Sequence, residues 1–186
     1  MQSRFITALL GSGFLLCAFF GGCRPADPLD WKIDAETPEA YNDWVEKEVA
    51  LMPRPLADEF NQAATQLMAL TPRIHPITSS ADMLSKHDPF CQQVNRRTVR
   101  AVIIDSYQSA NQALFSKVSL EQGNALATLK RSNELSADDP AQPRFEVAIR
   151  NQRKLIDFYN EQIRKNEARI AALKGQPAPP APAATP

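Results

Sequence analysis

Ile149, Ile156, Ile163 and Ile170 lie seven residues apart without exception, and Phe145, Gln152, Tyr159, Asn166 and Leu173 take the companion positions. A seven-residue repeat keeps one narrow seam of a helix turned toward a partner helix, as in a coiled coil. Residues 144–174 are therefore predicted to form one long helix whose seam is Phe145, Ile149, Ile156, Tyr159, Ile163, Ile170 and Leu173. Gln152 and Asn166 interrupt that seam, and polar residues there fix register at some cost in stability. The partner is either the preceding helix of the same chain or the same helix of a second copy in a homodimer. The short turn between the two long helical runs favours the first.

The preceding run supports this reading. Thr98 is a good cap for a helix from Val99 to about Asn133, with Val99, Val102, Ile103, Tyr107, Ala110, Leu114 and Val118 as its apolar stripe. Ala125, Leu126 and Leu129 extend the stripe past a soft spot near Ser119 and Gly123. Residues 136–143 (SADDPAQP) are a turn by composition, so residues 98–174 read as an antiparallel helical hairpin or coiled coil. Gly175 ends it as C-terminal glycines do, and QPAPPAPAATP over 176–186 reads as an extended, disordered tail.

Ahead of the hairpin, Thr37-Pro38-Glu39 opens a helix by cap, first-turn proline and first-turn acid. Tyr41, Trp44, Val45, Val49 and Met52 share one face of it. Pro53 and Pro55 force a break, and a second helix runs to about Leu70 with Leu56, Phe60, Ala63, Ala64, Leu67 and Leu70 as its stripe. The two make a short helical hairpin over 37–70. Residues 71–97 are a loop, with Pro72, Pro76 and Thr78-Ser79-Ser80, followed by a short helical piece opened by Asp88-Pro89. No strand of useful length is predicted, and the fold class is all-α.

The N-terminus carries an address. Arg4 precedes 16 mostly apolar residues from Phe5 to Phe20, and Gly21-Gly22-Cys23 closes the run. Such a pattern is a bacterial lipoprotein signal over 1–22, cleaved before Cys23, whose sulfur then takes a fatty acyl chain such as palmitate. A membrane span needs roughly 20 apolar residues, and Gly11, Gly13, Gly21 and Gly22 weaken a helix here. Cys17 follows Leu16 and lacks the small residues that precede Cys23. Residues 23–36 read as a tether, and Arg24 behind the lipid cysteine favours the outer membrane over the inner. Trp31 either sits at the headgroup level or caps the core. The expected location is the cell envelope, on the periplasmic side.

Charge and cysteine content narrow the chemistry. Lys+Arg and Asp+Glu both total 21, and processing removes only Arg4, so no global basicity points to nucleic acid. Asp27 to Glu59 holds ten acids against three bases, whereas Arg144 to Lys174 holds eight bases against four acids. The two stretches are expected to attract each other within the fold or to offer a basic helix to anionic lipid or glycan. Arg96, Arg97 and Arg100 crowd a helix N-terminus, where the dipole disfavours cations, and are expected to meet the acidic first helix or, as the alternative, to bind an anionic partner. Glu161 and Lys165 form an i, i+4 pair, and Asp105 reads as a solvated acid. His75, His87 and Cys91 are the residues that tempt a metal or thiol reading, but their spacing lacks the paired ligands of a zinc site. Cys91 fits better as a buried side chain beside Phe90 and Val94. No catalytic residue, metal or cofactor is predicted beyond the lipid on Cys23.

Lys32-Ile33-Asp34, followed by Thr37, Glu39 and Ala40, resembles the entry of a group of small bacterial envelope lipoproteins of unknown function, K-I-D-x-x-[ST]-x-E-A. Asn95, Arg97 and Thr98 resemble that group's later N-G-[KR]-T step, with Arg96 in place of its glycine. The resemblance covers Cys23 to about Ala110, leaves the long hairpin and tail outside, and implies an envelope lipoprotein without assigning an activity. The expected function is a non-enzymatic, membrane-anchored helical module. A periplasmic adaptor using the basic helix and tail of residues 144–186 to recruit an enzyme or the cell wall is the alternative, and a thiol or metal protein centred on Cys91 a second.

Overall fold

The computed structural model describes residues 26–71, 88–136 and 139–177. Cys23, His75, His87 and most of the Pro/Ala tail lie outside the described residues. Among those described, five α-helices carry the fold: α1 (Pro38–Glu48), α2 (Arg54–Leu70), α3 (Pro89–Val94), α4 (Val99–Asn133) and α5 (Gln142–Leu173). The architecture is all-α, a short helical hairpin followed by a long antiparallel one.

Side-chain caps start three of the helices. Thr37 Oγ1 accepts from the Ala40 N–H at 3.2 Å, Asp88 Oδ1 from Cys91 at 2.8 Å, and Thr98 Oγ1 from Ala101 at 3.2 Å. At the far end Gly175 adopts φ 66°, and the Gln176 N–H returns to the Ala171 carbonyl at 2.8 Å. That left-handed step is a Schellman-type stop, which glycine enters without a Cβ clash.

The core is concentrated in a head built from α1, α2, α3, the first turns of α4 and the last turn of α5. Phe60, Val99, Val102 and Ile103 are fully buried there, and Leu173 closes it from the end of α5. Aromatic rings meet edge to face, Tyr41 on Phe90 at 5.2 Å and Trp44 on Phe60 at 5.5 Å.

Residues 26–36 are not a tether. Trp31, Ile33 and Ala35 are buried while Lys32, Asp34 and Glu36 between them are exposed. The segment lies antiparallel to residues 95–99. The Ile33 N–H donates to the Arg97 carbonyl at 2.9 Å, Arg96 N–H to Ile33 at 2.8 Å, and Val99 N–H to Trp31 at 3.0 Å. Asn95 Oδ1 adds a bond from the Ala35 N–H at 3.1 Å. Trp31 therefore lines the core. The two stretches that carry the lipoprotein resemblance are thus hydrogen-bonded to each other.

Arg96 occupies the left-handed region at φ 61°, at the position where those lipoproteins carry glycine. A left-handed conformation costs a residue with a Cβ about 1–2 kcal/mol, and glycine gives back part of that as chain entropy. Arg96→Gly is expected to raise stability by about 0.5–1 kcal/mol, read as a rise of about 2 °C in Tm.

Beyond the head, α4 and α5 continue as a pair. From Asn111 to Ser132, α4 shelters only Asn111, Leu114, Val118, Glu121, Ala125, Thr128 and Ser132, in alternating steps of three and four. Every residue between them is exposed. Across the seam lie the isoleucines of α5, with Ile163 buried and Phe145, Ile149, Ile156, Tyr159 and Ile170 half-buried. Polar layers set the register: Asn166 Nδ2 donates to Asn111 Oδ1 at 2.8 Å, and Ser132 Oγ to Gln142 Oε1 at 2.7 Å. Gln152 Nε2 reaches Thr128 Oγ1 at 3.4 Å, while its buried Oε1 has no partner among the described residues.

The α4 helix is continuous through Ser119 and Gly123 to Asn133, as the sequence predicts. Other expectations are corrected. Leu126 and Leu129, placed on the α4 stripe by sequence, face outward, as does Leu70 on α2. The arginines do not meet α1: Arg97, just ahead of α4, pairs with Asp105 in the second turn of that helix, which also takes Asp105 out of the solvated class. Arg100 instead reaches the turn before α1.

Candidate functional site

Arg100 is the joint between the two ends of the described chain. Its guanidinium donates to Asp27 at 3.0 Å and Asp30 at 3.1 Å, just downstream of Cys23, and to the Leu173 carbonyl at 2.6 Å, at the end of α5. A planar fork with several donors suits three acceptors that a lysine would not hold together. The segment that follows Cys23 and the last turn before the tail are therefore fastened side by side. The turn between α4 and α5 lies at the opposite end of the hairpin. From Asn111 to Asn133 the paired helices extend about 35 Å at 1.5 Å per residue.

A second fork locks the hairpin to the head. Arg169 of α5 donates to both oxygens of Glu59 on α2, at 2.8 and 2.6 Å, and the Tyr107 hydroxyl of α4 donates to the same carboxylate at 3.0 Å. The Arg169 bonds hold the Glu59 pKa below its ordinary value of 4.5, against the opposing effect of burial. A carboxylate with a lowered folded-state pKa contributes stability above its unfolded value, and loses that contribution as pH falls through the folded one. The expected result is a fall in Tm below about pH 4.5 that is shallower in Glu59→Gln, measured by thermal melts across the acid range.

Cys91 is 4 % exposed, next to Val94 and Phe90 in the core. Burial, followed by the neighbouring Asp88 carboxylate, pushes its thiol up to about 12. A thiol that stays protonated at neutral pH is a poor nucleophile and a poor metal ligand. Among the described residues no three histidine, cysteine or acidic side chains are grouped to hold a metal ion. Native protein at pH 8 is expected to leave Cys91 unlabelled by iodoacetamide, and denatured protein to label it fully, as read by intact-mass spectrometry.

The outer half of the hairpin exposes apolar side chains beside its basic ones. Leu120, Leu126, Val147 and Phe158 are each more than half exposed, and Leu129 and Leu155 are not far behind. Arg144, Arg150, Arg153 and Lys154 are exposed on the same stretch of α5. Lys117 sits over the Tyr159 ring at 5.7 Å, and Glu161 pairs with both Arg164 and Lys165. No described helix is long and apolar enough to cross a membrane.

Of the residues singled out in the sequence, the described set brings together the α5 seam, Trp31 and the acidic turn with Arg100. It does not bring Cys91 to any polar partner that would activate it. Sequence reasoning missed Ile33 and Ala35, whose signal is the strict alternation of W-K-I-D-A-E. No family model matches this chain, and no curated protein or solved structure matches it either.

Proposed function

We propose that this protein is a lipid-anchored component of the bacterial cell envelope. It has no catalytic role, and it holds a helical hairpin away from the bilayer for a partner to grip. Phe5 to Cys23 has the composition of a lipoprotein signal, and acylation of Cys23 puts the anchor a few residues from Asp27. The observation that carries the reading is the Arg100 joint, which fastens the post-cysteine segment to the end of α5. An anchor at that end leaves the α4–α5 turn as the point farthest from the bilayer. The resemblance of Lys32 to Ala40 and of Asn95 to Thr98 to small envelope lipoproteins points the same way.

Recruitment of an envelope enzyme or the cell wall through α5 and the tail is the more specific version of this reading. Exposed Arg144, Arg150, Arg153 and Lys154, interleaved with Val147, Leu155 and Phe158, favour it as the contact surface. A homodimer built on the same apolar residues is the competing occupant.

Metabolic labelling with a tagged fatty acid, followed by membrane fractionation, tests the anchor. Wild type is expected to carry label and sediment with the envelope, and Cys23→Ser to lose label and keep its signal uncut. Unlabelled wild-type protein recovered from the soluble fraction at its uncut mass overturns the proposal.

A further inference from the structure

Where the hairpin leaves the head, α3, α4 and α5 enclose an open cleft of about 650 Å³. Its lining carries four side-chain amides, Gln93 from α3 and Gln108, Asn111 and Gln112 from α4; the Gln93 oxygen already accepts from Thr71 and the Asn111 oxygen from Asn166, which leaves the exposed Gln108 and Gln112 to meet a ligand. An amide both donates and accepts, which is also what a hydroxyl group does. Phe115 forms one wall and is 51 % exposed, so its ring offers a face to a ligand and is not part of the core.

The charges in the cleft select among ligands. Glu167 of α5 and Asp105 of α4 both face it. The Asp105 carboxylate is matched by Arg97, which leaves Glu167 to repel phosphate, sulfate and acidic sugars. An extended peptide would need unpaired backbone groups to build on, and two of these walls are helix interiors whose backbone groups are bonded within the helix. An apolar ligand would cover the Gln108 and Gln112 amides without pairing them.

We infer that this cleft binds a neutral glycan, with Gln108, Gln112 and Ser109 taking its hydroxyl and N-acetyl groups and Phe115 stacking on the apolar face of one ring. The negative face of the phenyl quadrupole attracts the C–H edge that a pyranose presents. Ile170, from α5 on the same lining, offers contact for acetyl methyls. This inference stands whether or not Cys23 is acylated, because every residue it uses lies in the helical domain.

Calorimetric titration of the detergent-purified full chain with chitotetraose, a neutral N-acetylated tetrasaccharide, tests it. A heparin tetrasaccharide serves as the anionic counterpart. Saturable chitotetraose binding is expected with Kd in the range of about 0.1–1 mM, typical of a small open site. Phe115→Ala and Gln112→Ala are each expected to weaken it by about tenfold at unchanged Tm, since both side chains are exposed. Absence of saturation, wild-type affinity retained in both variants, or tighter binding of the heparin fragment overturns the inference.

Discussion

Ile33→Asp is expected to remove most of the stability of the head. Ile33 is 1 % exposed and sits in the middle of the segment that pairs with residues 95–99. An aspartate there either buries an unpaired charge or takes up a proton at a cost, and it also loses the packing of a full aliphatic side chain. The combined loss is put at more than about 4 kcal/mol, against a total of about 5–15 for a domain of this kind. Lys32→Asp is the control, because Lys32 points outward and should cost no more than about 0.5 kcal/mol. Thermal melts followed by circular dichroism measure both. Equal melts for the two variants would mean that residues 26–36 are a tether after all, and that the paired motifs are not part of the fold.

Phe60→Ala has the next largest expected effect, a loss of about 3–5 kcal/mol. Phe60 is fully buried, and its ring meets Trp44 edge to face, so truncation opens a cavity at the contact between α1 and α2. Two-helix packing of this kind has little spare core to collapse into the gap. Phe158→Ala is a useful contrast: Phe158 is large and aromatic too, but it is 57 % exposed on the outer hairpin. Its truncation should leave the urea midpoint within experimental spread. If Phe158→Ala destabilises as much as Phe60→Ala, a partner or second copy covers the hairpin under the conditions of measurement.

What the sequence revealed depended on how strongly each element repeats. The isoleucines of α5 recur seven apart with little competing signal, and Thr37, Asp88 and Thr98 each precede a helix whose third-residue N–H they cap. The polar part of the α4 seam was hidden, although Leu114, Val118 and Ala125 were legible. Asn111, Thr128 and Ser132 face Asn166, Gln152 and Gln142 across the seam, so hydrogen bonding between polar layers and not hydrophobicity decides the face there. Leu126 and Leu129 then read as core on composition while facing outward. The segment from Trp31 to Ala35 was missed for a different reason. It is paired through a single bridge, too short to register as a strand, and proline-rich surroundings made it look like linker.

Arg100 was half legible. Its misfit at a helix N-terminus marked it as a residue with an outside partner, but the acids it meets lie at Asp27 and Asp30, ahead of α1. The amide-lined cleft was only partly legible: Gln108, Asn111 and Gln112 stand at helical spacing on α4, but Gln93 reaches it from α3 and Glu167 and Ile170 from α5, which no spacing along the chain reveals.

The regular heptad pairing of α4 with α5 makes height a separable property of this molecule. Adding seven residues to each arm, in phase with the seam, would lift the turn by about 10 Å while leaving the Glu59–Arg169 lock and every buried head contact where they are. The hairpin is in that sense a ruler mounted on a fixed base.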